Sequence, residues 1–373
     1  MRILICKPHL DQSELALALS LHDRGLCVRV LAARTTQGRE ELERRGLFEE
    51  MAAIKGKLRP ALIRQMRRVI REDRISLIYA IDSSSLANAL WATLFSGVHV
   101  VGYRGTLSRI RQLDPTFWLG ILNPRVARIF CVSSSVYDYM SRFVPRRKLV
   151  LNPKGFDPAW LPEASAPSHP VLANLPDNTC VCMFIGNTAG RPYKGLQSLI
   201  EGFHRANLPG AHLVVLGDHD PQAPEWVAQG PAAGAITLAG RQHEAAQWLH
   251  RADIYIQPSL REGLPRAIKE AMAVAVPVIA TDILGNRDLI SDQRCGALIP
   301  PADPDALART LQTLHGDSVQ RRRLGLEGQR QLARLFSHER TVERTLEACQ
   351  PLHQAGRPGA ARLARSSRRR HPA

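Results

Sequence analysis

The chain has 373 residues, 45% apolar and 23% charged, which suits a globular protein of about two domains and excludes a disordered chain, a collagen-like rod and a coiled coil. Fifty Lys and Arg against 34 Asp and Glu give a formal net charge of +16, so nucleic acid, anionic lipid and acidic polymers are the partners that charge alone would attract. No apolar run reaches the roughly 18 residues of a spanning helix, and the N-terminal apolar run is too short and too early for a signal peptide, so a cytoplasmic location is expected.

Short, continuous apolar runs alternate with amphipathic stretches. The first half predicts strands at 2–6, 28–32, 77–81, 98–103, 128–132 and 149–151, with helices at 12–24, 59–72, 84–95 and 134–142 between them. Continuous rather than alternating apolar strands are those of a parallel sheet covered on both faces. A stretch rich in Pro, Ala and Ser then reads as a linker, assigned to 158–175. The pattern restarts with strands at 181–185, 212–216, 236–239, 254–257, 278–280 and 297–299 and helices at 195–206, 245–251, 265–275 and 304–314. The reading is α/β: two Rossmann-like, doubly wound domains, 1–157 and 176–336, facing a central cleft. A C-terminal helix, 337–353, is expected to pack back on the first domain, and 354–373 reads as a disordered basic tail. The seven cysteines are odd in number and contain no Cys-x-x-Cys pair, which fits reduced, buried thiols.

Two loops carry the chemistry. The first is Ser259-Leu-Arg-Glu-Gly-Leu-Pro-Arg-Ala-Ile-Lys-Glu-Ala-Met-Ala273, between two predicted strands. Gly263 allows backbone to approach a ligand, and Pro265 suits a first helical position. The helix N-terminus behind it is an anion site, and Glu262 and Glu270 can each accept two hydroxyls of a sugar or ribose. Read from spacing alone, they are equally a solvated loop glutamate and a surface-helix glutamate. The second loop is Phe184-Ile-Gly-Asn-Thr-Ala-Gly-Arg-Pro-Tyr-Lys-Gly-Leu196, where Gly186, Asn187, Arg191 and Lys194 follow a strand as a phosphate-binding loop would. The alternative is a polar surface loop.

Taken together and in this order, these segments resemble the retaining glycosyltransferases of the family-4 type, which have the GT-B fold. The likeness rests on Glu262 and Glu270 with seven residues between them, on Lys194-Gly195 before a helix, on the run Glu270-Ala-Met-Ala-Val-Ala-Val-Pro-Val-Ile-Ala-Thr-Asp282, and on Gly285-Asn286 and Gly296-Ala-Leu-Ile-Pro-Pro301. It covers residues 180–350 closely. The resemblance implies a nucleotide-diphospho-sugar donor, a UDP-sugar being the first expectation, with no metal or other cofactor. It implies that Lys194 neutralises the leaving diphosphate, that Glu262 with the amides of Gly263 and Leu264 holds the transferred sugar, and that Glu270 holds the ribose. Arg241 is expected near the base. The chain departs from the family at Asn187, where arginine is usual. It departs again in the first domain, where Lys7–Ser13 lacks a glycine-rich loop and Tyr103-Arg104-Gly105 replaces a His-Gly pair. Arg104 is therefore expected to take a catalytic place beside Glu262 and Lys194, contacting phosphate, or His9 to fill the position.

The segment 55–74 forms a basic amphipathic helix, with Lys55, Lys57, Arg64, Arg67, Arg68 and Arg71 as a candidate membrane or acceptor patch and a core-facing helix as the plainer reading. Charge then points to an anionic membrane surface and a lipid-linked, phosphorylated glycan acceptor, with lipopolysaccharide core the most economical choice. The enzyme is expected to be peripheral on the cytoplasmic face of the inner membrane. Two rival readings are a basic nucleic-acid or anionic-surface binding protein built on a degenerate transferase fold and a nucleotide-sugar epimerase. Nucleic acid is not expected as a partner, because the chain shows no zinc spacing and no stacking platform, and aromatics are 5% of it.

Overall fold

The computed structural model describes residues 1–52, 56–161, 170–290 and 293–355. Lys55, most of the expected linker and the basic tail from 356 on lie outside these. The chain divides into two compact units, Met1–Gly155 together with the helix His338–Ala355, and Phe156–Ser337.

The first unit is a seven-stranded sheet of β1 (Arg2–Cys6), β2 (Cys27–Ala32), β3 (Phe48–Glu50), β4 (Leu77–Ala80), β5 (His99–Arg104), β6 (Val126–Cys131) and β7 (Leu149–Leu151), in the order β3-β2-β1-β4-β5-β6-β7. All its pairings are parallel. Its central strands are buried on both faces because the apolar runs of Ile3–Cys6 and Leu77–Ala80 leave no polar side to solvate. β3 is the strand that hydrophobic patterning misses. Its sequence is Phe-Glu-Glu, an edge strand held by backbone pairing to Val30–Ala32. The helix Gln12–Asp23 and the helix His338–Ala355 share one core, in which Leu17, Leu21, Val342 and Cys349 are buried.

The second unit is a six-stranded parallel sheet of β8 (Cys180–Ile185), β9 (Ala211–Leu216), β10 (Ile236–Gly240), β11 (Ile254–Gln257), β12 (Val278–Thr281) and β13 (Ala297–Ile299), in the order β10-β9-β8-β11-β12-β13. The strand order reverses between β8 and β11, so the loops leaving these two neighbours diverge above the sheet and open a crevice. The two loops singled out in the sequence are those loops. The helix Leu196–Ala206 buries Leu199, Ile200 and Phe203 against one face of the sheet. The helix Arg266–Ala273 buries Ile268, Ala271 and Met272 against the other. Pro265 is the residue before that helix, in extended backbone, rather than its first helical residue. Residues 245–251 form a 3-10 turn where an α-helix was expected, entered through Glu244 in left-handed backbone. Ser318–Leu335 is an eighteen-residue helix whose arginine-rich sequence hides a narrow buried stripe of Leu324, Gly325, Gly328 and Leu332. Among the described residues no helix is long and apolar enough to cross a membrane.

Candidate active site

The crevice of the second unit is a cavity of about 410 Å³ lined by Lys194, Gln257, Glu262, Pro265, Arg266 and Glu270, with Ile185, Ala267 and the segment Glu244–Ala246 completing the wall. Lys194 reaches it because Gly195 turns the chain with φ 76° immediately behind it. A Cβ at Gly195 would collide with the carbonyl oxygen of Pro258, so only glycine lets the lysine loop lie against the end of β11. The backbone also joins the two loops directly, where Leu260 N donates to Tyr193 O at 2.7 Å. Gly285 acts similarly from the far side, for its Cα packs against the carbonyl groups of Glu262 and Gly263 where a Cβ would be 2.6–2.8 Å from them.

Glu262 is the hub. Its Oε1 accepts from Lys194 Nζ at 2.7 Å, from Ser259 Oγ at 2.8 Å and from Gln257 Nε2 at 3.0 Å. Gln257 is itself oriented by Tyr255, whose hydroxyl donates to Gln257 Oε1 at 2.7 Å. Burial, then the charges of Glu270 and Glu262, push the Tyr255 hydroxyl well above its ordinary pKa, which keeps it a donor. Gln257 and Ser259 are buried, and Thr281 donates to the carbonyl oxygen of Ser259. Glu262 Oε2 accepts no hydrogen bond among the described residues, and the residue lines the cavity. Glu270, with a side chain 8% exposed, accepts from Arg266 Nε at 2.7 Å. Gly263 and Leu264 continue the loop from Glu262 to Pro265.

A second cluster sits at the ends of β8, β9 and β10. Asp218 pairs with Arg241, and Asn187 Nδ2 donates to the same carboxylate at 3.4 Å. The Arg241 hydrogen bond holds the Asp218 carboxyl below the usual carboxylate range. Gly186 precedes Asn187 on this loop, and Arg191 is exposed with no ion pair among the described residues. Thus the structure gathers Lys194, Glu262 and Glu270 in one cavity, joins Asn187 and Arg241 through Asp218 with Gly186 preceding Asn187 on the same loop, and leaves Arg191 out of the cavity wall. Sequence reasoning passed over Tyr255, Gln257 and Asp218. The available signal was a polar side chain ending an apolar strand, as in Ile254-Tyr-Ile-Gln257, and an acidic residue after Gly217.

In the first unit, the helix after β1 has its N-terminus closed from within. Asp11 and Glu14 form a capping box, and Glu14 accepts from Lys7 Nζ at 2.6 and 2.7 Å and from Lys154 Nζ at 2.6 Å. The N–H groups of Asp11 and Glu14 are thus satisfied by the chain's own carboxylates. His9 is exposed. Arg104 ends β5, in a cavity of its own within this unit. The basic patch divides. Lys57 donates to Thr116 O at 2.6 Å, and Arg68 pairs with Glu49 and Glu72. Arg64, Arg67 and Arg71 are exposed on the helix Pro60–Glu72 with no carboxylate partner among the described residues, while Leu62, Met66 and Val69 are its buried face. Among the described residues no group of three or more His, Cys, Asp or Glu could hold a metal ion.

Comparison with known proteins agrees with this architecture. Residues 14–160 match the family model described as Glycosyltransferase Family 4, and residues 179–317 match Glycosyl transferases group 1. The lipopolysaccharide core biosynthesis glycosyltransferase LpsE of Rhizobium meliloti is 28% identical over 176 residues, 47% of this chain and 51% of that protein. The alpha-maltose-1-phosphate synthase of Mycolicibacterium smegmatis is 30% identical over 243 residues, 59% of this chain and 62% of that protein. The chain therefore spans about half to three fifths of the length of these curated relatives. Among solved structures, Anabaena HepE in complex with UDP superposes with a TM-score of 0.78 at 17% identity, covering 94% of this chain and 100% of that one. With a matching model on each unit and two parallel sheets of doubly wound order, the chain belongs to the family-4 type glycosyltransferases of GT-B fold, built from two Rossmann-like units.

Proposed function

We propose that the protein transfers a sugar from a nucleotide-diphospho-sugar, a UDP-sugar first, to a glycan acceptor with retention of anomeric configuration. The observation that carries this reading is the convergence of Lys194, Glu262 and Glu270 on one cavity at the strand-order reversal of the second unit. A nucleoside diphosphate suits such a place. Glu270 accepts the ribose hydroxyls, and Lys194 with the amides at the start of the helix Arg266–Ala273 meets the diphosphate. Glu262 Oε2, with the amides of Gly263 and Leu264, holds the transferred sugar. Arg241 lies toward the base, with Gly186 and Asn187 beside it.

The transfer breaks the bond from the anomeric carbon to the diphosphate oxygen. The acceptor oxygen bonds that carbon on the same face, and its proton passes to the departing phosphate. Negative charge grows on the diphosphate as this happens. A fixed ammonium at that position stabilises the transition state more than the ground state, which is what lowers a barrier. No protein base and no metal are assigned.

The acceptor reading rests on charge and on the relative named for lipopolysaccharide core biosynthesis. We take the acceptor to be a lipid-linked, phosphorylated glycan such as lipopolysaccharide core, and the enzyme to be peripheral on the cytoplasmic face of the inner membrane. Whether the moved sugar is a hexose or a heptose follows from the donor. The test is thermal stabilisation by UDP-, GDP- and ADP-sugars, with Lys194→Ala as control. A ligand at a hundred times its Kd adds about 2.7 kcal/mol. Stabilisation by one nucleotide class that disappears in the variant supports the reading. No stabilisation by any of them favours a binding protein on a degenerate fold, and sugar turnover without acceptor favours an epimerase.

A further inference from the structure

The second cavity, in the first unit, also holds about 410 Å³. Its wall takes Lys57, Ser83, Arg104, Thr106, Ser108 and Thr116, and no acidic residue lines it. Arg104 donates to Ser108 Oγ at 3.0 Å, and its Nε is buried with no partner. No carboxylate lies within ion-pairing distance of its guanidinium among the described residues. Burial lowers the Arg104 pKa from its ordinary value, with the Tyr139 and Cys131 side chains the groups that offset it. A half-buried guanidinium with an unmet N–H, a neighbouring ammonium and the hydroxyls of Ser83, Thr106, Ser108 and Thr116 form a receptor for an anion. The segments that supply Lys57 and Thr116 also carry exposed apolar side chains. Leu58 follows Lys57 and is 37% exposed. The segment that supplies Thr116 also carries Leu113, 99% exposed, and Trp118, 51% exposed, with Trp118 Nε1 held by Gln112 O at 2.7 Å.

We propose that this cavity receives the anionic group, a phosphate monoester or a carboxylate, of an amphiphilic acceptor whose apolar part lies over Leu58, Leu113 and Trp118. The inference rests on the transferase reading and specifies the chemistry of the second substrate. It moves Arg104 from the donor phosphate to the acceptor. Charge and exposure support the pairing: the anion meets Arg104 and Lys57 inside, and the apolar part covers side chains that water otherwise surrounds.

The test is calorimetric titration of the full chain with octyl phosphate, octanoate and octyl glucoside below their micellar concentrations, with inorganic phosphate and with UDP. Saturable binding of an anionic amphiphile, at least about tenfold tighter than neutral octyl glucoside, is expected. Octyl phosphate binding tighter than octanoate assigns a phosphate, and the reverse assigns a carboxylate. Arg104→Gln should weaken the anionic amphiphile about tenfold or more while UDP affinity holds. Lys57→Gln, in the same wall, gives the same direction should Arg104→Gln not fold. Leu113→Ser with Trp118→Ser should weaken octyl phosphate and leave inorganic phosphate unchanged. Equal affinity for the glucoside and the anions overturns the proposal. So does an Arg104→Gln protein that loses UDP and octyl phosphate alike, because the arginine would then serve the donor. Wild-type protein that binds octyl phosphate but no UDP supports the anion cavity and removes the donor reading instead.

Discussion

Lys194 Nζ stands 2.7 Å from Glu262 Oε1, so the residue assigned to the diphosphate and the residue assigned to the sugar are partners of each other. An ammonium has three N–H donors, and this contact uses one. The carboxylate is pinned by one oxygen, where Gln257 and Ser259 also donate, and offers the other to the cavity. The pair therefore fixes the geometry of both groups without exhausting either.

Lys194→Ala should weaken UDP binding by about 10- to 100-fold, the worth of a charge-assisted hydrogen bond to a phosphate. Glu262→Ala should leave UDP affinity within about threefold and lower turnover by about a hundredfold or more, because its ligand is the sugar rather than the diphosphate. Titration calorimetry with UDP and a transfer assay separate the two. A Lys194→Ala protein that binds UDP like wild type sinks the diphosphate role.

Gln257 acts through Glu262. Its amide donates to the carboxylate and its carbonyl accepts from Tyr255, so Gln257→Leu removes one of the carboxylate's three donors and leaves the buried Tyr255 hydroxyl only the longer contact to the Ile185 carbonyl oxygen at 3.5 Å. The expected result is a fall of about tenfold in kcat with little change in the KM for donor, and a stability loss of about 1–3 kcal/mol. Tyr255→Phe should lose about 1 kcal/mol and less turnover than Gln257→Leu. A Gln257→Leu enzyme with unchanged kcat would make the chain of hydrogen bonds structural only.

How much of this could be read from the chain follows from where each signal is stored. Apolar runs such as Cys180–Ile185 and Leu77–Ala80 mark buried parallel strands locally, and the Lys194-Gly195 pair marks its turn because positive φ demands glycine. Phe48–Glu50 has no apolar run and pairs only because β2 lies beside it. The Lys194–Glu262 contact spans 68 positions and exists because β8 and β11 are neighbours, which is a property of strand order. Gln257 reads alone as the polar end of a strand, and Asp218 as a loop acid. Each acquires a role only when Glu262 or Arg241 is brought to it from another loop.

Gly195→Ala tests the backbone of the site. The new methyl would meet the Pro258 carbonyl in a left-handed conformation that alanine resists, so the lysine loop must move off β11. A stability loss of about 2–4 kcal/mol is expected, with UDP affinity reduced about as far as in Lys194→Ala. Chemical denaturation and UDP titration check both. Wild-type UDP affinity in a folded Gly195→Ala protein would show that the loop's close approach is not what positions the lysine.

The charge cluster at β1 makes a pH prediction. Burial raises the Asp11 carboxyl, but Lys154 outweighs it, so the pKa falls below its ordinary 3.8. Burial lowers Lys154, but Glu14 and Asp11 outweigh it, so its pKa rises above 10.5. Asp11 therefore contributes stability above about pH 3.8 that is lost as pH falls through its lowered value; Lys154 contributes below pH 10.5 and loses it as pH rises past its raised value. Lys154→Met should cost about 2 kcal/mol at pH 7, since it strips one cation from the buried Glu14 and leaves Lys7. It should also flatten the loss of stability below about pH 4, measured by urea midpoints. An acid limb as steep as wild type would show that other carboxylates set it.

The basic helix makes the last prediction. Arg67 donates to the carbonyl oxygen of Trp91 at 3.1 Å, and beside it Trp91 is 43% and Phe95 99% exposed. Arg64, Arg67 and Arg71 thus share a surface with two aromatic side chains, a combination that suits an anionic interface where rings enter the headgroup region and cations meet the phosphates. Each basic residue near such a surface is worth about 1 kcal/mol, so reversing all three to Glu removes that attraction and adds repulsion. Binding to phosphatidylglycerol vesicles, followed by sedimentation, should fall by more than about a hundredfold, and Phe95→Ser should lower it by about tenfold. Binding to neutral phosphatidylcholine vesicles should be weak in every variant, and UDP affinity should not change. If the triple reversal leaves vesicle binding intact, the helix is a solvated basic face, and membrane contact has to come from the exposed side chains of Leu113 and Trp118 instead.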